Sequence, residues 1–292
     1  MARDILLTGG TGQVGREILQ LDWPDNVRLV APARSELDLA DLAATRAFVG
    51  GRDWAAIINC AAFTAVDAAE TQVEAAWQLN AMLPALLAAV TGPRQIPLLQ
   101  ISTDYVFDGA KGAPYEPADP TGPLSVYGAS KLAGELAVRS GNPRHIVLRT
   151  SWVFGLRGAN FVSTMLRLGA ERPLLRVVDD QFARPTSATD LARVVQGLAL
   201  RSADDRNAPT GTFHFANEGA TSRYEFAREI FRQAAVQGRP VPSVEPIATA
   251  AYPTPARRPP AAILSTDTLS QAFAVTPRPW QAALADCMKG LS

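Results

Sequence analysis

The sequence predicts an α/β fold: a doubly wound parallel sheet carrying a smaller, discontinuous C-terminal lobe. Three observations predict it. Short apolar runs alternate with helix-length amphipathic segments across residues 1–150, the pattern of strands joined by crossover helices. The runs are almost continuously apolar, as strands covered on both faces must be. The first run ends in a glycine-rich turn that leads straight into a helix.

Taken in order, Ile5–Thr8 is the first strand, and Val14, Ile18, Leu19 and Leu21 form the apolar side of the helix after it. Val27–Ala31 and Ile57–Cys60 read as the second and third strands. A long helix follows, with Val73, Trp77, Leu83 and Leu86 expected to face inward. Leu98–Ser102 is the fourth strand, Tyr127–Ser140 a helix, and Ile146–Leu148 the fifth strand. Beyond Thr150 the pattern loosens. Helices are expected over Asn160–Ala170, Leu191–Leu200, Tyr224–Ala235 and from about Trp280, with strands at Leu175–Val178 and Thr212–Phe215. Residues 239–260 are rich in proline and read as an extended loop, not a helix or central strand. The expected division is a core domain of residues 1–150 and 174–216, and a lobe of residues 151–173 and 217–292.

Composition narrows the function classes. Lys+Arg and Asp+Glu number 28 each, so there is no basic excess for nucleic acid to read. A few placed arginines would still serve an anionic small ligand. Cys60 and Cys287 are expected to be reduced and buried, not bridged. The two histidines, His145 and His214, both fall in strand-like runs, which argues against a histidine metal site. No targeting segment or membrane-length apolar stretch is read. A soluble, cytoplasmic protein with no membrane partner is the expectation.

The glycine turn is the first chemical signal. Thr8-Gly9-Gly10-Thr11-Gly12-Gln13-Val14-Gly15 fits G-x-G-x-x-G through Gly10, Gly12 and Gly15, and G-x-x-G-x-x-G through Gly9, Gly12 and Gly15. Such a turn lets backbone approach a pyrophosphate, and the helix behind it offers free N–H groups to negative charge. Its place at the first strand–helix junction makes a dinucleotide site, and so a Rossmann fold, the expected reading. The end of the second strand reads Ala31-Pro32-Ala33-Arg34-Ser35, without the acidic residue of an NAD site. Arg34 fits a 2′-phosphate, hence NADPH with NADH as the alternative. A solvated surface arginine is the lesser alternative, and Glu36 nearby weakens the phosphate contact.

Tyr127 and Lys131 stand at i and i+4 at the start of a helix, on one face. A nearby ammonium would lower the tyrosine pKa and fit the pair for protonating a carbonyl oxygen as hydride reaches its carbon. The spacing also arises by chance on solvated helices. The glycine turn upstream and the strand ending Ser102-Thr103-Asp104-Tyr105 tip the balance towards chemistry, because Thr103 then lies at the ligand-binding edge of the sheet.

These motifs resemble the extended short-chain dehydrogenases/reductases. Asn59 to Asp67, Ser102 to Gly109, Arg149 to Phe154, Asp180-Gln181-Phe182-Ala183-Arg184-Pro185-Thr186 and Ala251 to Ala256 are most similar to the dTDP-4-dehydrorhamnose reductase family, and the likeness runs through nearly the whole chain. The resemblance implies NADPH-dependent reduction of the 4-keto group of a nucleotide sugar. It implies that Gly12, Gln13 and Val14 cover the pyrophosphate, Asp38 and Leu39 the adenine end, and Ala61, Ala62 and Phe63 the ribose and nicotinamide path. Tyr127 would donate the proton, with Lys131 and Thr103 beside it. Thr103, Asp104 and Trp152 would touch the sugar, and Asn160, Arg184 and Arg257 the nucleotide diphosphate. Two departures bear on those contacts: Ala183 replaces a glycine, and Pro260 to Leu264 replace a polar Asn-Ser pair. The resemblance also implies Mg²⁺ at a subunit contact of a homodimer. Glu17 and Asp190 are the candidate ligands, without a full set, so no metal residue is assigned. Two rival readings share the fold. One is a nucleotide-sugar epimerase, which retains its cofactor. The other is a regulatory subunit of methionine adenosyltransferase, which acts as a binding partner.

Overall fold

A computed structural model describes residues 3–290; the outermost residues of the expected domain ranges, 1–2 and 291–292, lie outside it. The first half runs β1 (Arg3–Thr8), α1 (Gln13–Ile18), β2 (Val27–Val30), α2 (Leu42–Gly50), β3 (Ala56–Asn59), α3 (Val66–Ala69), α4 (Val73–Trp77), α5 (Leu83–Thr91), β4 (Leu98–Thr103), α6 (Val126–Gly141) and β5 (His145–Thr150). The second half runs β6 (Val153–Phe154), α7 (Phe161–Glu171), β7 (Leu174–Val178), β8 (Phe182–Ala183), β9 (Thr186–Ser187), α8 (Ala188–Asp204), β10 (Gly211–His214), β11 (Thr221–Ser222), α9 (Arg223–Val236), β12 (Ser243–Ile247), α10 (Asp267–Phe273) and α11 (Trp280–Lys289).

Six parallel strands form the main sheet in the order β10-β5-β4-β3-β1-β2. From β1 the chain goes outward to β2 and then back to β3 on the other side. The crevice between β1 and β3 at the C-terminal edge is therefore the topological switch point, where such sheets bind ligands. Side chains alternate across the sheet. Ile5, Leu7 and Ile58 pack with Ile18, Leu191 and Val195 of α1 and α8 on one face. Leu6 and Ile57 pack with Leu83, Leu87 and Val138 of α5 and α6 on the other. Both faces are covered, as the apolar strand runs require.

A second core joins Phe154, Met165, Leu175, Val177, Phe226 and Trp280. It redraws the expected boundaries in two places. The sequence pattern puts β7 in the sheet domain, but its partner is β12, so Leu175 and Val177 turn into the second core. The same pattern puts α10 in the lobe, but Leu269 and Phe273 pack with Phe213 of β10 on the main sheet. The proline-rich stretch holds a strand, β12, in an isolated two-stranded ladder; Pro246 is tolerated there because such a strand has a free edge.

The long helix also departs from expectation. Val73 and Trp77 are 41 % and 40 % exposed, not inward, whereas Leu83 and Leu86 are buried. A π-helical turn at Gln78–Met82 separates the two stretches. The inserted residue rotates the helical phase, so a single apolar stripe cannot be carried through it. The run Val73–Thr91 is long and apolar enough to cross a bilayer by length and composition, yet its second half packs on the sheet through Leu83, Leu86, Leu87 and Ala88.

Candidate active site

The glycines of the first turn divide their work. Gly9 has φ +75°, and a Cβ there would lie 2.5 Å from the Ala61 amide nitrogen. A Cβ on Gly15 would meet the Gly9 carbonyl and sit 2.8 Å from the Gly10 Cα. These two positions let β1, β3 and α1 close on one another. Gly12 differs: its nearest neighbour is the Gly9 carbonyl oxygen at 3.3 Å, which leaves its Cα open to the cleft. Its side chain being a hydrogen, Gly12 gives α1 no side-chain cap, so the first N–H groups of the helix stay available to an anion. Two buried atoms on the cleft wall, Gln13 Oε1 and Thr150 Oγ1, have no partner among the described residues. An open glycine, free amides, and an unpaired buried amide oxygen and hydroxyl fit a dinucleotide, which both donates and accepts hydrogen bonds.

Under this turn a polar ladder crosses the strands. Thr8 Oγ1 donates to Asn59 Oδ1 at 2.5 Å, and Asn59 Nδ2 donates to Gln100 Oε1 at 2.6 Å. Asn80, inside the π-turn, accepts from the Phe63 amide and donates to the Phe63 carbonyl and to Ser130 Oγ. It braces the loop after β3 against α6. Sequence reasoning missed Asn80, because a π-turn leaves no mark in apolar periodicity.

Ser125 caps α6 by accepting from the Gly128 amide. The first helical turn therefore starts at Val126 and presents Tyr127 and Lys131 to the end of β4. Tyr127 lies within hydrogen-bonding reach of Thr103 and meets Tyr105 edge-on, ring centroids 5.5 Å apart. Thr103 Oγ1 donates to Asp104 Oδ1 at 3.0 Å. Lys131 Nζ donates to the Ile101 carbonyl at 2.6 Å. Behind it, Glu135 and Arg149 form a fully buried ion pair at 2.7 Å, and Ser102 Oγ donates to Glu135 at 2.5 Å.

The electrostatics differ from expectation in one respect. Burial first, then the charges of Asp104 and Tyr105, push the Tyr127 phenol above its ordinary pKa, and only the Thr103 hydrogen bond pulls it down. Lys131 is turned to Ile101 and does not lower it. Burial pulls Lys131 itself to about 8, against Glu135 and Cys60. Burial lifts Asp104 to about 7, opposed by the Thr103 hydrogen bond, and lifts the unpaired Cys60 thiol to about 12, which leaves it a poor nucleophile.

A cleft of about 570 Å³ is lined by Gly12, Gln13, Val14, Gly15, Ala62, Thr103, Asp104, Tyr127, Lys131 and Trp152. Gly9, Ala61 and Phe63 stand next to residues of its wall. Arg34 is exposed just past β2, its guanidinium 3.5 Å from Asp38, with Leu39 beside them. A second cavity of about 930 Å³ opens between α7, β7 and the segment around Tyr252. Three expected substrate residues line neither cavity. The Asn160 side chain caps α7 and donates to Gly155. Arg184 is half-buried, with its Nε unpartnered among the described residues. Arg257 points outward, and Arg258 lines the second cavity instead, drawn in by Asp67 at 2.7 Å. Of the candidate metal ligands, Glu17 accepts from Thr189, while Asp190 is held by Arg278 and Asn217.

A parallel doubly wound sheet, a dinucleotide turn at its switch point and a buried Tyr–Lys–Thr cluster facing that turn define an oxidoreductase of the extended short-chain dehydrogenase type. Residues 3–292 match the family described as RmlD substrate binding domain. A dTDP-4-dehydrorhamnose reductase of Aggregatibacter actinomycetemcomitans is 41 % identical over 288 residues, 97 % of each chain. The crystal structure of such a reductase from Clostridium acetobutylicum superposes with a TM-score of 0.90 at 40 % identity, covering 98 % of both chains. That of the Bacillus anthracis reductase, in complex with NADP, gives 0.91 at 32 % identity over 99 % of both. The chain belongs to this family, that of the dTDP-4-dehydrorhamnose reductases.

Proposed function

We propose that the chain reduces the 4-keto group of dTDP-4-dehydro-L-rhamnose to give dTDP-L-rhamnose, with NADPH as reductant. The observation that carries this is the convergence of Tyr127, Thr103 and Lys131 on one cleft wall opposite the Gly12 turn. The names of the relatives and the NADP of the Bacillus anthracis structure support the substrate and cofactor.

NADPH, when bound, supplies the hydride. Gly12, Gln13 and Val14 hold its pyrophosphate, Arg34 its 2′-phosphate, Asp38 and Leu39 the adenine end, and Ala61, Ala62 and Phe63 the nicotinamide side. Tyr127 is kept protonated at neutral pH by burial, the state a proton donor needs. As charge develops on the sugar oxygen, the phenol gives up its proton to a far stronger base. Lys131, on the same helix face but anchored to the Ile101 carbonyl, is placed to hold the cofactor ribose. Thr103 sets the carbonyl oxygen beside the phenol, and Asp104 and Trp152 bound the sugar. Two unpaired cysteines support a cytoplasmic setting.

The test follows NADPH absorbance with the dTDP-linked 4-keto sugar, then with its UDP and GDP analogues. Stoichiometric oxidation with the dTDP sugar, and slower turnover with the others, is expected. No oxidation with any of them would refute the proposal.

A further inference from the structure

The two cavities meet at a single place. Phe161 and Arg223 line both of them. Arg223, the first residue of α9, stacks its guanidinium over the Trp152 ring with the carbon 3.8 Å from the centroid, and lies within reach of the Tyr105 phenol. Among the described residues no carboxylate lies within ion-pairing distance of it; Asp104 is the acidic neighbour, and burial lifts that carboxyl to about 7. Arg258 provides the contrast. It also touches Tyr105 and lines the larger cavity, but Asp67 takes its fork with two hydrogen bonds at 3.1 and 2.7 Å.

We propose that Arg223 grips the substrate's diphosphate where it passes from one cavity to the other. This rests on the nucleotide-sugar reading above. The keto sugar must reach Tyr127 in the smaller cleft, and the nucleoside needs the larger cavity, whose walls include Met165, Leu168, Val177 and Tyr252. The linker between them has to cross the junction that Arg223 occupies. A planar guanidinium, fixed in orientation by the indole beneath it and engaged in no ion pair among the described residues, is suited to paired phosphate oxygens. The enzyme thereby selects sugars carried on a nucleoside diphosphate over free sugars. Arg223 is a specificity residue at the seam, not a proton donor.

The full-length chain and its Arg223→Gln and Arg223→Lys variants are titrated with dTDP and with thymidine, following tryptophan fluorescence and heat. The proposal expects dTDP affinity to fall about 10- to 100-fold in Arg223→Gln, with thymidine and NADPH affinities within about twofold of wild type. Arg223→Lys keeps the charge but loses the fork, so a smaller loss of about three- to tenfold is expected. This variant decides the matter if Arg223→Gln does not fold. Unchanged dTDP affinity in either folded variant overturns the proposal, as does an equal loss for thymidine. Wild-type turnover of the dTDP-linked keto sugar is measured alongside. Its absence would sink the reductase reading, while the dTDP titration still judges Arg223 by itself.

Discussion

Removing Glu135 should unfold the site from behind. Its carboxylate is wholly buried and faces Arg149, which is 1 % exposed, through hydrogen bonds of 2.7, 2.9 and 3.2 Å. In Glu135→Ala the guanidinium keeps the Pro117 carbonyl at 3.2 Å, the His214 ring at 3.4 Å and the face of the Phe107 ring, but no carboxylate. The imidazole offers no counter-charge, because it is neutral or cationic; burial and Arg149 pull His214 to about 3, which keeps it neutral and spares a repulsion. A buried charge stripped of its partner costs about 3–5 kcal/mol, and the Ser102 hydroxyl loses its acceptor for about 1 kcal/mol more. With a urea slope of about 3 kcal/mol/M for a larger chain, the midpoint should fall by roughly 1–2 M. Replacing both members, as Glu135→Leu with Arg149→Met, removes the charge as well as its partner and should recover most of the loss. Urea unfolding of the wild type, the single variant and the double variant forms the assay. A single variant within about 1 kcal/mol of wild type, or a double variant less stable than the single, would refute the reasoning.

Two glycine substitutions should move in opposite directions. Gly15→Ala drives a methyl into the Gly9–Gly10 backbone, so it should cost about 1–3 kcal/mol and weaken NADPH binding at least tenfold by fluorescence titration. Gly197→Ala, inside α8 with no atom near its added methyl, should stabilise by about 0.5–1 kcal/mol in the same urea assay. Asp104 gives a pH signature. Its folded pKa of about 7 lies above the unfolded value near 3.8, so the folded state binds the extra proton between them. Stability from this group is full below about pH 4 and falls as pH rises towards 7, by up to about 4 kcal/mol. Asp104→Asn should therefore gain on the wild type across that window in unfolding curves taken from pH 5 to 8; a constant difference would contradict the shift.

The parts of the site legible in the sequence are those made by neighbours along the chain. The glycine turn, the Tyr127–Lys131 spacing and Thr103 at a strand end each fit within one strand–helix unit, so local pattern is enough to find them. The apolar strand runs point to the parallel sheet for the same reason. What escapes depends on residues far apart. Asp67 and Arg258 are separated by most of the chain, and nothing local says that Arg258, not Arg257, turns inward to meet it. β7 reads as an ordinary strand, and only its pairing with β12 moves it to the second core. The π-turn breaks the helical phase that would place Val73 and Trp77 inward. Arg223 follows a two-residue strand in a stretch without any motif, and only the stacking on Trp152 marks it.

The account turns on the Tyr127 phenol as the proton source. Tyr127→Phe removes one oxygen from a buried ring and leaves the glycine turn and Lys131 in place. Single-turnover oxidation of bound NADPH by the dTDP-linked keto sugar is predicted to slow by about 10²- to 10⁴-fold, while NADPH affinity stays within about twofold of wild type. A Tyr127→Phe variant that turns over at the wild-type rate would contradict the account.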